Sequence, residues 1–419
     1  MRDDREPLKC SFCGKNQYEV KKLISGSNVF ICDSCIDLCH DTIHNTSTLK
    51  KGIEHTKDIT PKEVKNFLDQ YVIGQDEAKI TVSVAVSSHY KRINHKVIND
   101  VELDKTNLML IGNSGSGKTL IAKAIAKLLD VPFAIADATS LTESGYVGDD
   151  VESIITRLLN AAGGDVKKAE RGIIFLDEID KKAKKAEGTS ASRDVSGEGV
   201  QQALLKIIEG TEVRVTPQGG RKNPSSEMTV VDTSSILFIV GGAFVGLEKI
   251  IEDRLSNDGF DSSFGFTGHP KTKREKLEYA GKLLSQVSTE DFVKFGMIPE
   301  LIGRLGISAH LEELTVDQLI QVLTEPKNAI IRQYQELFKL DGITLTFDYE
   351  ALVEIAEQAI DKKVGARGLR TILEKKLTKL QFDLPDLRKK GVIEVIISKD
   401  FITNNADPMI ILEKDRLLG

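Results

Sequence analysis

Eight residues constrain most of this chain: Gly112-Asn113-Ser114-Gly115-Ser116-Gly117-Lys118-Thr119. They fit G-x-x-x-x-G-K-[ST], they follow the apolar run Leu108–Ile111, and they precede Leu120 to Leu129, where apolar residues recur at helical spacing. Strand, loop and helix in that order make a phosphate-binding loop. The glycines let the backbone curl until successive N–H groups and the helix N-terminus face one point. Lys118 adds a cation at the β and γ oxygens of a nucleotide, and Thr119 a hydroxyl for magnesium. A strand that presents such a loop at its C-terminal end belongs to a parallel sheet with helices on both faces.

The second half of a nucleotide-hydrolysing site is Ile173-Ile174-Phe175-Leu176-Asp177-Glu178, with Asp177 standing 59 residues after Lys118. Four apolar residues ending in two acids describe a buried parallel strand that delivers carboxylates at the same sheet edge. Asp177 can hold magnesium through water, and Glu178 can polarise the attacking water. Apolar runs at 108–111, 131–136, 173–176 and 236–240 alternate with helical patterns, which predicts a doubly wound α/β fold. From residue 314 the pattern changes. Helical periodicity over 316–338, 349–359 and 368–382, with β-rich runs at 342–347, Val392–Ile397 and Met409–Leu412, predicts a smaller C-terminal α+β domain.

All five cysteines fall within the first 39 residues. Cys10-x2-Cys13 and Cys32-x2-Cys35, separated by 18 residues, have the spacing of a tetrahedral zinc site, and Gly14 suits the tight turn of the first pair. Cys39 and His40 are surplus to four-coordinate zinc. A module this small cannot bury much core, so the metal must hold it together. Residues 1–50 carry seven basic and seven acidic side chains, a balance unlike that of a DNA-binding ribbon. Protein binding or dimerisation suits the module better. The expected organisation is a zinc module over 1–50, a linker over 51–60, a large ATPase domain over 61–313 and the smaller domain over 314–419. Thr60-Pro61 opens the first helix as cap and first residue.

Lys and Arg number 57 against 63 Asp and Glu, a net charge of −6, which offers no basic surface to nucleic acid or anionic membrane. The N-terminus is charged and lacks a secretory apolar core, and the longest apolar stretch, 236–247, has 12 residues, too few to span a bilayer. A cytoplasmic protein is expected, or one of an organelle matrix if a transit peptide has been removed.

Three further strings carry a family resemblance: Gly145-Tyr146-Val147-Gly148, the run from Arg193 to Gln202, and Gly365-Ala366-Arg367-Gly368-Leu369-Arg370. With the cysteine module and the phosphate loop, they make nearly the whole chain resemble the ClpX group of AAA+ protein unfoldases. The resemblance implies a homohexamer working with a ClpP-type peptidase on tagged proteins and adaptor proteins, with ATP, Mg2+ and Zn2+ as cofactors. It implies that Tyr146 and Val147 grip substrate in a central pore, with Arg193, Arg221 and Lys222 also facing substrate. Arg304 takes the place of an arginine finger given to the neighbouring subunit, and Arg367 that of a sensor of the γ-phosphate. Val72 and Ile73 match the segment that packs on adenine, and Leu120 continues the nucleotide contacts. Phe264-Gly265-Phe266 matches the docking tripeptide for the peptidase, with Phe in place of the usual aliphatic residue. Asn223 stands where many relatives have His, and 239–244 offers no Asn or Thr for a first sensor.

Residue by residue, ordinary structural roles stay open: a Tyr146 tip folded onto the core, Val72 and Ile73 as core packing, Arg304 and Arg367 as surface ion-pair partners. Two other functions also remain at this level, a nucleic-acid motor or clamp loader and a chaperone acting without a peptidase. An apolar Gly145-Tyr146-Val147-Gly148 loop in an acidic chain opposes the first, since such motors line their channels with cations and stacking aromatics. Neither a serine-protease signature nor His-Glu-x-x-His is present, so no peptidase activity is expected of this chain itself.

Overall fold

The computed structural model describes residues 8–27, 29–36, 58–95, 97–98, 101–142, 149–184, 197–215, 228–257, 279, 281–362, 365–404 and 406–413. The chain forms two compact units, Met1–Lys57 and Asp58–Gly419.

In the first unit, Leu23–Ser25 pairs antiparallel with Phe30–Cys32. The turn after Cys13 is closed by Gly14 at φ 75°, a left-handed conformation that glycine adopts without steric cost. Its buried residues are three of the cysteines, with Val20, Leu23 and Ile31 packed around them.

The second unit begins with the capped helix Pro61–Leu68. Thr60 and Glu63 satisfy each other's backbone N–H groups in a capping box, as the Thr60-Pro61 pair led us to expect. A five-stranded parallel sheet follows: β1 (Leu108–Ile111), β2 (Phe133–Asp137), β3 (Ile173–Asp177), β4 (Leu237–Gly242) and β5 (Ile307–His310). Across the sheet the order is β5-β1-β4-β3-β2. Side chains alternate between the faces and bury on both. Leu108, Leu110, Ile173, Phe175, Leu237 and Ile239 enter one core with helix Lys118–Leu129. Met109, Ile111, Ile174, Leu176, Phe238 and Val240 enter the other, with helices Ser153–Ala161 and Glu198–Glu209. Each such side chain contributes roughly 1.5–3 kcal/mol by burial, which explains why these strands read as continuous apolar runs.

β5 is the strand the sequence did not disclose. It pairs with β1 at the sheet edge, Ile307 opposite Leu108, and only Ile307 and Ala309 of its four residues are apolar. Its position is set by tertiary pairing and not by pattern.

The smaller domain has a three-stranded sheet, Thr344–Phe347 parallel to Val392–Ile397, which in turn runs antiparallel to Met409–Leu412. The segment expected as one helix over 316–338 is two, Val316–Thr324 and Ile330–Leu340. Pro326 separates them, because it has no N–H with which to continue the helix. Helix Gly365–Lys389 is longer than expected and runs through Pro385, which is exposed.

Candidate nucleotide and zinc sites

The phosphate loop closes between β1 and helix Lys118–Leu129. Gly115 and Gly117 take φ of 82° and 110°, so a side chain at either would be strained. At Gly112 a Cβ would lie 2.8 Å from Leu311 O and 2.9 Å from Ser116 Oγ, so the loop tolerates no side chain there. The loop's backbone curls as the glycine spacing requires. Lys118 is buried and donates to the carbonyls of Gly112 and Asn113. Burial pulls its ammonium below the ordinary lysine range, and Arg367 adds to this, while Asp177, Asp180 and Glu178 oppose it. Anionic phosphate oxygens would relieve that desolvation. Ser116 Oγ is buried without a hydrogen-bond partner, as a hydroxyl aimed into a ligand cradle would be.

β3 delivers its acids to the same edge. Thr119 Oγ1 donates to Asp177 Oδ2 at 3.3 Å, so the two expected magnesium ligands stand together. This donor set, a hydroxyl and a carboxylate beside a phosphate cradle, suits a hard cation bound with nucleotide. Glu178 is exposed, has its backbone in the left-handed region at φ 58°, ψ 35°, and lines a cavity of about 600 Å³ with Thr139, Asp180, Lys184 and Phe295.

The smaller domain reaches this site. Arg367 Nη1 donates to Ser114 Oγ at 3.4 Å. Gly365, at φ 54°, comes so close that a Cβ there would sit 3.0 Å from Ser114 O. Neither contact was evident in the sequence beyond the motif itself. A second link was not foreseen: the Gln75 amide donates to Glu312 O at 2.8 Å and accepts Glu312 N–H at 2.9 Å, tying the segment after Val72-Ile73-Gly74 to the chain entering the smaller domain.

The remaining expected residues separate into three groups. Val72 is buried in the core and Ile73 half-buried beside it, while Leu120 is exposed. Arg304 pairs with Glu209 at 2.8 Å on an exposed surface. Tyr146, Val147, Arg193, Arg221, Lys222, Phe264, Gly265 and Phe266 lie outside the described residues.

The zinc module brings the Sγ atoms of Cys10, Cys13, Cys32 and Cys35 within 4.8 Å of one another. Cys10 and Cys35 are 4.0 Å apart and Cys13 and Cys32 3.7 Å. Four sulfurs at tetrahedral zinc, with a bond of about 2.3 Å, stand about 3.8 Å apart, so the cluster fits the ion. Burial raises the Cys10 thiol, but backbone N–H groups of Cys13, Phe12 and Cys32 win and bring it down to about 6. Contact with Cys32 pushes Cys35 up to about 12. Zinc requires its cysteine ligands as thiolates.

A parallel sheet with a phosphate loop after β1, paired acids at the end of β3 and an arginine from a C-terminal α+β domain defines an ATPase of the AAA type. The chain matches the AAA domain (Cdc48 subfamily) over residues 103–308, the ClpX C4-type zinc finger over 8–45, and the C-terminal D2-small domain of ClpB protein over 314–385. It is 52% identical over 401 residues to the ATP-dependent Clp protease ATP-binding subunit ClpX of Treponema denticola, covering 95% of each chain. The chain therefore belongs to the ClpX family. It is an ATPase that uses ATP with magnesium and carries a four-cysteine zinc finger. Among the described residues, no helix is long and apolar enough to cross a membrane.

Proposed function

We propose that this chain is the ATP-driven unfoldase of a two-component protease, working as a homohexamer that unfolds tagged proteins and passes them to a ClpP-type peptidase. The observation that carries this reading is the relative named as an ATP-binding subunit of an ATP-dependent Clp protease, alike over 95% of both chains. Family membership favours an unfoldase over a nucleic-acid motor or clamp loader.

Magnesium-bound ATP supplies the phosphoryl group whose transfer to water drives the cycle. Lys118 and the loop N–H groups would bind the phosphate oxygens, and Thr119 with Asp177 would hold the metal. Glu178 takes the proton of the attacking water on its carboxylate. Arg367 balances charge from the smaller domain, and Arg304 does so for the neighbouring subunit. Because Arg367 meets Ser114 of the phosphate loop, the nucleotide's state bears on the angle between the two domains. Tyr146 and Val147 turn that movement into a pull on polypeptide. Arg193, Arg221 and Lys222 meet the incoming tag, and Phe264-Gly265-Phe266 docks on the peptidase. The zinc module dimerises and receives substrates and adaptors. A site of reduced thiolates agrees with work in the cytoplasm.

The test is incubation with ATP, magnesium and a C-terminally tagged fluorescent protein, with and without a ClpP-type peptidase. Fluorescence loss in both, with fragments only in the second, is the expected result. Stable fluorescence in both would refute the proposal.

A further inference from the structure

One side chain fastens the turn after Glu178 to the neighbouring strand. Asp180 lies in that turn, Ile179–Lys182, with its side chain only 3% exposed. Its Oδ1 accepts the backbone N–H of Ala243 at 3.1 Å, one residue beyond the end of β4. The ladder between β3 and β4 ends at Leu176 and Val240. Asp180 therefore extends the join between the strands past the ladder, to the far side of Glu178.

Glu178 needs such a fastener. A residue with a Cβ pays about 1–2 kcal/mol in the left-handed region and keeps that conformation only where its surroundings hold it. Three other contacts help: Ile179 is buried in the core that also holds Phe238 and Val240 of β4, Glu178 N–H donates to Asp177 Oδ1 at 3.0 Å, and Lys181 N–H donates to Glu178 O at 3.1 Å. Asp180 adds a hydrogen bond from the turn to the end of β4. The β4 end offers no polar side chain in exchange, since it reads Gly241-Gly242-Ala243. A Cβ on Gly241 would lie 3.2 Å from Asp177 Oδ1, and one on Gly242 would lie 2.4 Å from the Phe244 ring. From β4 only backbone can meet Asp180, and the Ala243 N–H does so at Oδ1, while the exposed Lys181 ammonium lies 3.5 Å from Oδ2.

We propose that Asp180 is a positioning residue of the ATPase reaction. By accepting the Ala243 N–H it holds the Glu178 backbone in its left-handed conformation and aims the Glu178 carboxylate at the attacking water. The inference rests on Glu178 being the group that takes the water's proton. The role needs an acceptor atom at one place and does not need the negative charge.

Three variants of the full chain separate these requirements: Asp180→Asn keeps the acceptor without the charge, Asp180→Glu keeps the charge but displaces the acceptor, and Asp180→Ala removes both. Steady-state ATP hydrolysis gives kcat and KM, and a fluorescent nucleotide gives affinity. Asp180→Asn should stay within about threefold of wild type. Asp180→Glu and Asp180→Ala should lose at least about tenfold in kcat with KM and nucleotide affinity within about threefold, the pattern of a misaimed group. If Asp180→Ala fails to fold, the contrast between Asn and Glu decides. Unchanged kcat in Asp180→Glu, an Asn variant as impaired as the Glu variant, or KM and affinity failing in step with kcat would each overturn the proposal. Glu178→Gln measured alongside keeps the two readings apart. Full activity there removes the role of Glu178, whereas an inactive Glu178→Gln beside an unaffected Asp180→Glu removes only that of Asp180.

Discussion

Thr119 Oγ1 lies 3.3 Å from Asp177 Oδ2, although the two residues are 58 positions apart in the chain. β1 and β3 are not neighbours in the sheet, because β4 runs between them. The hydroxyl at the start of a helix and the acid at the end of a strand thus meet over the β4 end, where Gly241 leaves them room. A Cβ at Gly241 would lie 3.2 Å from Asp177 Oδ1, tighter than ordinary van der Waals contact.

Enlarging that position should disturb the magnesium site along with the core, since a Cβ there would also lie 2.9 Å from the buried Phe175 ring. We expect Gly241→Val to raise the magnesium concentration needed for half-maximal ATP hydrolysis by at least about tenfold, the scale of a lost ligand alignment. A magnesium titration of ATPase activity checks this.

The two arginines should respond differently. Arg304 and Glu209 form an exposed pair, 62% and 40% exposed, worth about 0–1 kcal/mol. Arg304→Ala should therefore melt within a few degrees of wild type, while its ATPase falls by at least about a hundredfold if, as proposed, its charge serves the site of a neighbouring subunit. Arg367→Ala should lose activity within its own site. Mixing the Arg304→Ala chain with Glu178→Gln chains should restore some hydrolysis, since each supplies what the other lacks. Phosphate release in the mixed sample is the measurement.

Zinc should be separable from ATP hydrolysis. Cys35→Ser removes a buried ligand from a cluster whose sulfurs all lie within 4.8 Å, and four-coordinate zinc does not survive on three thiolates with the same affinity. We expect metal analysis to show loss of zinc, with at least half the basal ATPase retained, because Asp58–Gly419 is a compact unit of its own.

Much of this was readable beforehand, for identifiable reasons. β1, β3 and β4 bury both faces and so announce themselves as apolar runs, and the loop glycines are demanded by positive φ at 115 and 117 and by close approach at 112. The cysteine spacing fixed the zinc ligands. β5 escaped notice because an edge strand of four residues needs few apolar side chains. Asp180 and Gln75 escaped because each acts on backbone groups distant in sequence, Ala243 and Glu312, and no local pattern encodes such a partner. Val72 and Arg304 have the ordinary partners that residue type alone would suggest, a buried core and a surface acid.

Acid should destabilise the ATPase unit through His89. Burial, helped by Arg92 and Lys105 nearby, pulls its pKa down to about 3, while carbonyls of Ser235 and Thr106 oppose the shift. The unfolded chain binds the proton at pH near 6.5 and the folded chain does not. Stability is therefore whole above about pH 6.5 and falls by up to about 1.4 kcal/mol per pH unit below it. Chemical denaturation between pH 5 and 7 should show this slope, and His89→Gln should flatten it.

If hydrolysis at Asp177 and Glu178 drives unfolding, it should do so without any peptidase present. The fluorescence of a C-terminally tagged fluorescent protein is followed in ATP and magnesium with wild type and with Glu178→Gln. We predict that fluorescence falls steadily with wild type and persists with the variant, which still binds ATP but hydrolyses it at least about a hundredfold more slowly. Equal loss with both proteins, or none with wild type while it hydrolyses ATP, would contradict the account.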